Sequence, residues 1–135
     1  MADNAQLLRE TYEAFGRGDI PAVLGAFADD IVWNAPEVLP HGMTASSRDE
    51  VGGFFEKLAS EWEDFGIELD DITAAGDRGY VAGRASGTYE GARTGFGFVH
   101  AWTIRDGKLA RFDEYVDPSP ELVAAAASAA GTTAR

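Results

Sequence analysis

Two ionisable side chains, His100 and Glu114, occupy the longest stretch of regular apolar alternation in the chain. From residue 96 to residue 104 the even positions are Phe, Phe, His, Trp and Ile. Because side chains alternate between the two faces of a strand, this pattern predicts a strand whose apolar face is interrupted only by His100. A return strand over residues 108–117 follows Asp106 and Gly107, a pair typical of hairpin turns.

The register of this hairpin decides whether Glu114 shares the face of His100. A two-residue turn pairs residue 104 with residue 109 and, continued along the hairpin, turns the charged odd-numbered side chains of the return strand inward. A three-residue turn, with Gly107 as an αL bulge, pairs Ile104 with Lys108 and leaves Glu114 as the one charge on the apolar face. A one-residue slip would bury several charges, so we predict the bulge at Gly107. His100 and Glu114 then lie diagonally across neighbouring strands, within reach of each other or of a shared ligand.

A carboxylate on a buried face is costly unless it is paired, protonated or hydrated. Glu114 therefore has a partner such as His100 or Arg84, or it borders a cavity. A structural ion pair in the core is the alternative interpretation. We favour the pocket, because titratable pairs cluster at functional sites and a carboxyl group there can carry protons to and from carbon.

The side chains around this pair are mostly large and apolar. Trp33, Trp102 and Tyr12 suit both a core position and a pocket wall, and their N–H and O–H groups require partners when buried. The predicted ligand-contacting residues are Tyr12, Trp33, Phe55, Arg84, Phe98, Trp102, Phe112 and Val116.

A predicted loop over residues 36–46 contains the second histidine, His41, together with Met43. A solvated surface position is the first interpretation of these two residues, and a lid over the pocket is the alternative. His41 and His100 are far apart in the chain and the acidic residues are scattered, which is not a metal-ligand spacing. We therefore expect a site without a metal or other cofactor.

Composition indicates a single globular domain over residues 1–135. Hydrophobic residues make up 45% of the chain, which suffices for a core, and no apolar run approaches membrane-spanning length. The net charge of −12 argues against nucleic acid and anionic membranes as partners. The absence of cysteine excludes disulfides, and the first residues do not resemble a secretory signal, so we expect a cytoplasmic protein.

Periodicity predicts helices first and strands afterwards. Helices are predicted over 3–17, over a short segment after Asp19, and after a capping box at 47–50, with an apolar stripe from Val51 to Trp62. Strands are predicted over 31–35, from about residue 67, over 80–89 and in the hairpin. The tail, 118–135, is predicted to form a short alanine-rich helix. This order predicts an α+β fold.

Three short sequence segments show a family resemblance: YEAFGRGD at 12–19, ADDIVW at 28–33 and IRDGKL at 104–109. They resemble the SnoaL-like polyketide cyclases, within the superfamily that contains ketosteroid isomerase, limonene epoxide hydrolase and nuclear transport factor two. The resemblance implies a cone-shaped α+β barrel. Its three helices, from the N-terminal half, pack on one curved antiparallel or mixed sheet around a central pocket. It also implies a homodimer through the outer sheet face, where Val99, Ala101, Thr103, Tyr115 and, as a further candidate, Tyr89 are placed.

The resemblance implies a catalytic group of Glu114, His100 and Asn34. The family has an aspartate where this chain has Glu114, whose longer side chain moves the carboxyl group. Strand parity places Asn34 opposite Trp33, unless a bulge near Pro36 turns it inward.

Two other members of the superfamily fit less well. The ketosteroid isomerase base falls on Ala35, and its oxyanion-hole acid falls on His100. Limonene epoxide hydrolase is matched at Arg84, at Glu114 and in part at Asn34, but its acid position holds Ser86.

The leading hypothesis is a small acid/base enzyme that acts on an apolar carbonyl compound, with intramolecular aldol cyclisation as the best match and a related isomerisation beside it. Glu114 would move the proton, and His100 or Asn34 would donate to the enolate oxygen. The alternatives are a module that binds a small hydrophobic ligand without chemistry, an epoxide hydrolase-like activity, and an association domain whose aromatic residues fill the cone and leave no cavity.

Overall fold

The computed structural model describes residues 3–125 and 127. The elements are α1 (Asn4–Gly16), α2 (Ile20–Gly25), β1 (Phe27–Asn34), β2 (Thr44–Ala45), α3 (Arg48–Glu61), β3 (Trp62–Ala75), β4 (Arg78–Tyr89), β5 (Ala92–Arg105) and β6 (Lys108–Pro118). A further helical segment, α4, covers 120–125. The end of the predicted C-terminal helix and tail, at 126 and 128–135, lies outside the described residues.

Each of the first three helices begins at a side-chain cap. Asp3 accepts backbone N–H groups from the first turn of α1, and Asp19 does the same for α2. Ser47 accepts the N–H of Glu50, while the Glu50 carboxylate accepts the N–H of Ser46 at 2.8 Å. These short polar side chains satisfy donors that have no partner inside the helix, which is why the helices start at these residues.

Six strands form one mixed sheet in the order β2-β1-β6-β5-β4-β3. β1 runs parallel to β6, and the other neighbouring pairs are antiparallel. Helices α1 and α3 cover the inner face, where Tyr12 meets Trp102 and Phe54 meets Trp33, with ring centroids 6.4 and 5.0 Å apart. The α+β cone predicted from the sequence is confirmed.

The hairpin between β5 and β6 has a different turn from the predicted one. Asp106 and Gly107 form a two-residue turn with φ of 53° and 74°, and Ile104 pairs with Leu109. The predicted bulge at Gly107 is therefore wrong. The extra residue is Ala110, since the register shifts between residues 103 and 104.

The bulge at Ala110 has the effect that was predicted for a bulge at Gly107: it places Glu114 on the same face of the sheet as His100. After the shift Trp102 pairs with Phe112, and His100 lies directly opposite Glu114 rather than diagonal to it. A two-residue turn with positive φ at both positions matches the twist of the strands, and a bulge next to it restores the apolar face. Both devices are needed, because the turn alone would bury Arg111.

Two strands begin earlier than predicted. β1 begins at Phe27, where the chain already pairs with Leu109 of β6. β3 begins at Trp62, which was predicted on the stripe of the third helix. Trp62 has an extended backbone, with φ of −116° and ψ of 144°, and pairs with Tyr89. Pairing with distant strands decides these boundaries, and local periodicity does not report it.

The outer face of the sheet carries exposed apolar side chains. Tyr115 is 64% exposed and lies directly opposite Val99, which is 41% exposed. Tyr89 is not on this face, which corrects its predicted placement: it is buried and its ring centroid lies 5.4 Å from that of Trp62. In the described part of the chain, no helix combines the length and apolar character needed to cross a bilayer.

Leu58 tests the packing of α3 against the sheet. Its side chain is buried in the core, so Leu58→Ala should lower the free energy of unfolding by about 2–5 kcal/mol. Ser60→Ala on the exposed side of the same helix is the control and should change it by less than about 0.5 kcal/mol. Urea unfolding measures both, and equal small losses would contradict this packing.

We propose that a second copy of the chain covers the outer face around Val99 and Tyr115, because an isologous contact buries the same apolar patch on both copies. Light scattering should then give a dimer at micromolar concentration. Tyr115→Lys should shift the population to monomer, whereas Glu56→Lys on the exposed side of α3 should not. A monomer in the unsubstituted protein would refute the proposal.

Candidate active site

A cavity of about 80 Å³ lies between the inner face of the sheet and helices α1 and α3. Its wall is mostly aromatic, and the polar side chains that border it are Thr11, Tyr12, His41, His100 and Glu114. A volume of this size holds several water molecules, so side chains do not fill the core completely. The alternative in which aromatic side chains fill the cone is therefore wrong.

His100 and Glu114 form a close pair in this wall. His100 Nε2 lies 3.1 Å from Glu114 Oε2, and the side chains are 12% and 6% exposed. The His100 ring stacks on Phe98, with centroids 4.0 Å apart. The bulge at Ala110 positions this pair, because it brings the two residues to directly opposed sites of β5 and β6.

Tyr12 of α1 joins the pair from the helical side. Its hydroxyl lies 2.5 Å from His100 Nδ1 and accepts a hydrogen bond from Trp102 Nε1 at 3.0 Å. Burial raises the pKa of Tyr12 well above its usual value; the Trp102 hydrogen bond opposes this shift and the charge of Glu114 adds to it. The phenol therefore stays protonated at neutral pH and can donate to His100.

These bonds run in one direction. The indole of Trp102 can only donate to the Tyr12 hydroxyl, and that hydroxyl in turn donates a hydrogen bond to His100 Nδ1. The hydrogen of the imidazole then lies on Nε2 and points at the Glu114 carboxylate. Glu114 Oε1 has no hydrogen-bond partner among the described residues. One carboxylate oxygen is thus held and the other is available to a ligand.

His41 is a member of the cavity wall that the sequence analysis placed elsewhere. It is 2% exposed, so neither the solvated position nor the lid describes it. Trp62 Nε1 donates to His41 Nδ1 at 3.2 Å. Burial lowers the pKa of His41 to about 4, against an opposing effect of Glu114 and with a smaller lowering effect of Lys57.

The 36–43 loop folds inward because of close backbone contacts. Ala35 N–H donates to the Met43 carbonyl, and Gly42 N–H donates to the Leu39 carbonyl. A Cβ at position 42 would overlap the Pro36 carbonyl oxygen, so this path requires glycine. The sequence signal that could have indicated the inward fold is an apolar residue within the predicted loop, Leu39, two residues before His41. The Leu39 side chain is fully buried in the structure.

Asn34 does not border the cavity. Its side-chain amide donates to Asp113 Oδ1 at 2.8 Å on the outer side of the sheet. Burial raises the pKa of Asp113, but the hydrogen bonds from Arg111 and Asn34, together with the charge of Arg111, outweigh burial, and the net shift is downward. No bulge turns Asn34 inward, because Trp33 and Asn34 pair in sequence with Phe112 and Asp113 of β6. Its predicted place beside Glu114 and His100 is corrected.

Two predicted ligand contacts also lie outside the cavity. Arg84 is exposed on the outer face, because Val81, Gly83 and Ala85 take the inward positions of β4. Val116 packs against the core beyond the cavity wall. The predicted residues that do line the cavity are Tyr12, Trp33, Phe55, Phe98, Trp102 and Phe112.

Within residues 3–125 and 127, no cluster of three or more acidic or histidine side chains could hold a metal ion.

A curved sheet closed by helices over an apolar cavity with a buried carboxylate–imidazole pair defines a cone-shaped α+β pocket domain. The family model described as a SnoaL-like domain matches residues 8–112, and the chain belongs to this family. The resemblance stated from the sequence is confirmed. None of the curated proteins compared with the chain matches it.

Solved structures share the fold over nearly the whole chain. An NTF2-like protein from Burkholderia thailandensis is 32% identical with a TM-score of 0.84, covering 93% of this chain and 98% of its own. An NTF2-like protein of unknown function from Burkholderia pseudomallei is 30% identical with a TM-score of 0.81, covering 95% and 97%. TerC, co-crystallised with polyporic acid, is 25% identical with a TM-score of 0.76, covering 90% and 98%.

The lowered pKa of His41 makes a prediction about stability. The pKa is about 4 in the folded protein and 6.5 for an unperturbed histidine, so the unfolded chain takes up the proton first as the pH falls. The contribution of the neutral His41 side chain to the free energy of unfolding is complete above about pH 6.5. It is lost progressively as the pH falls from there to about pH 4. Between about pH 7.5 and about pH 5 the protein should lose about 2 kcal/mol more free energy of unfolding than His41→Gln. Urea unfolding at both pH values measures this, and equal losses would show that His41 titrates normally.

Proposed function

We propose that the protein is an acid/base enzyme that acts on an apolar carbonyl compound, with Glu114 as the group that moves the proton. The observation that carries this proposal is the free Oε1 of a carboxylate whose side chain is 6% exposed and which borders an otherwise apolar cavity. Little water competes for a carboxylate in such a place, so a bound C–H group adjacent to a carbonyl becomes its natural partner.

The hydrogen bonds around Glu114 support a role as base. His100 donates to Oε2 and holds the carboxylate in one orientation, while Tyr12 and Trp102 hold the His100 ring. In a cyclisation, Glu114 would take a proton from carbon and the resulting enolate would add to a second carbonyl of the same molecule. The new alkoxide would then receive the proton, so that atoms and charges balance. An isomerisation would return the proton to another carbon of the enolate.

The ligand would be a small hydrophobic molecule, since the wall is mostly aromatic. TerC, a solved relative in fold, was crystallised with polyporic acid, which supports an organic acid or carbonyl compound as the class of ligand. An epoxide hydrolase-like reaction has less support, because Arg84 and Ser86 are both exposed on the outer face of β4.

A module that binds such a ligand without chemistry is the second candidate. It is favoured by the closure of the polar network, in which both nitrogens of His100 already have partners. The two candidates differ in what the loss of the Glu114 charge would do.

Exchange of the acidic α-hydrogens of 2-tetralone in heavy water, followed by NMR, separates them. The protein should accelerate exchange above the buffer rate, and Glu114→Gln should lower this acceleration about a hundredfold or more, because the amide cannot accept the proton. Asp113→Asn is the matched control, because it removes a carboxylate from the adjacent outer position of the same strand. It should keep the rate.

Binding of the ketone without any acceleration in the unsubstituted protein, and with equal affinity in Glu114→Gln, would refute the enzyme and support the binding module. Circular dichroism and urea unfolding of each variant establish that the fold is retained.

A further inference from the structure

The hydrogen-bond donors beside Glu114 are all occupied. His100 Nε2–H points at Glu114, Tyr12 O–H at His100, and Trp102 Nε1–H at Tyr12. The Thr11 hydroxyl donates to the Leu7 carbonyl at 2.8 Å. Removal of a proton next to a carbonyl leaves negative charge on its oxygen, and that oxygen needs a donor. The group around Glu114 provides none without breaking its own bonds, and Asn34 is outside the cavity.

His41 has the donor that this group lacks. Trp62 Nε1–H can only donate, so the lone pair of His41 Nδ1 receives it and the ring hydrogen lies on Nε2. This Nε2–H has no partner among the described residues, although the side chain is almost completely buried and borders the cavity. The Nε2 atom is not among the fully covered polar atoms that lack a partner, so it remains accessible, and a ligand oxygen would satisfy its N–H.

The surroundings of His41 keep it in this form. Its pKa of about 4 means that the ring is neutral at physiological pH and remains an N–H donor rather than a cation. A neutral imidazole can polarise a carbonyl without giving up its proton prematurely. His41 and Glu114 border the same cavity, and the charge of Glu114 acts on the pKa of His41 in the opposite direction to burial.

We propose that His41 Nε2–H binds the substrate carbonyl oxygen that is conjugated with the carbon deprotonated by Glu114. This inference rests on the proposed function and specifies its substrate class: an enolisable ketone that spans the cavity from His41 to Glu114. Trp62 is a positioning residue, because its N–H selects the ring tautomer that donates into the cavity.

One other buried donor needs to be separated from His41. Trp33 Nε1 also lacks a partner, but it is fully covered by neighbouring atoms, and its ring stacks on Phe112 with centroids 3.8 Å apart. Its ring is part of the cavity wall, but its N–H has no access to a ligand there. Trp33→Phe is therefore a comparison for the carbonyl stretch alone: it removes an unpaired buried N–H from the same wall and leaves the His41 donor in place.

The test measures the carbonyl stretch of bound 2-tetralone by infrared difference spectroscopy. The stretch should lie below its frequency in an apolar solvent in the unsubstituted protein, in Trp33→Phe and in Glu114→Gln. In His41→Phe it should return to the apolar-solvent frequency. His41→Gln, which keeps an N–H donor of similar reach, should restore part of the shift.

Affinity and exchange provide two further measurements. His41→Phe should weaken binding of 2-tetralone about fivefold while leaving the hydrocarbon tetralin unaffected, which also shows that the cavity has folded. The rate at which this variant catalyses exchange of the α-hydrogens of 2-tetralone should fall about a hundredfold. Trp62→Phe should show a smaller frequency shift than the unsubstituted protein, with unchanged affinity for tetralin.

A lowered carbonyl frequency that survives in His41→Phe would overturn the proposal, as would its loss in Trp33→Phe alone. A failure of the unsubstituted protein to prefer 2-tetralone over tetralin would also overturn it. Failure of the proposed function has a different signature, because exchange would then be absent while the frequency shift still depended on His41.

Discussion

The pairing of β5 with β6 is the constraint on which the site depends. The residue inserted at Ala110 keeps Arg111 and Asp113 on the outer face and sets Glu114 opposite His100. If the strands continued in the register of their turn, each side chain of β6 after Ala110 would change faces. The buried carboxylate, its imidazole partner and the aromatic wall beside them would be lost together. A one-residue irregularity in the backbone therefore positions the side chains on which the proposed function depends.

The polar groups that this register buries form a chain with one direction. It starts at Trp102, which can only donate, and ends at Glu114, which accepts. Tyr12 joins α1 to the sheet through this chain, because its hydroxyl bonds to side chains of β5. Each hydrogen bond offsets the desolvation cost of the polar groups that it joins. The same bonds orient the carboxylate toward the cavity. The contacts that satisfy these buried groups therefore also hold the carboxylate in the orientation that the proposed reaction requires.

The cavity wall contains two polar groups of different character. One is a carboxylate supported by occupied donors, and the other is a neutral imidazole whose Nε2–H has no partner in the described part of the chain. The wall around them is mostly apolar, which strengthens hydrogen bonds made to a ligand. This asymmetry supports a ligand with an acidic C–H group and a conjugated oxygen, and it assigns the two histidines different work. In the proposed reaction His100 orients the base, and His41 binds the carbonyl oxygen.

The sequence by itself determined the α+β class, the helix starts, the apolar face of the hairpin and the presence of Glu114 and His100 on that face. These features follow from alternation and from caps such as Asp3 and Ser47, which act over a few residues. The tertiary structure alone decided the rest. The bulge moved from Gly107 to Ala110 because the turn followed the strand twist while the faces had to avoid buried charge. Strand parity left a bulge at Asn34 open, and the regular pairing of β1 with β6 decided for the outer face, where Asn34 bonds to Asp113, 79 residues away in the chain. His41 turned inward because Gly42 passes close to Pro36 and because Trp62 provides a buried partner. Each of these outcomes depends on contacts between segments that local patterns treat separately.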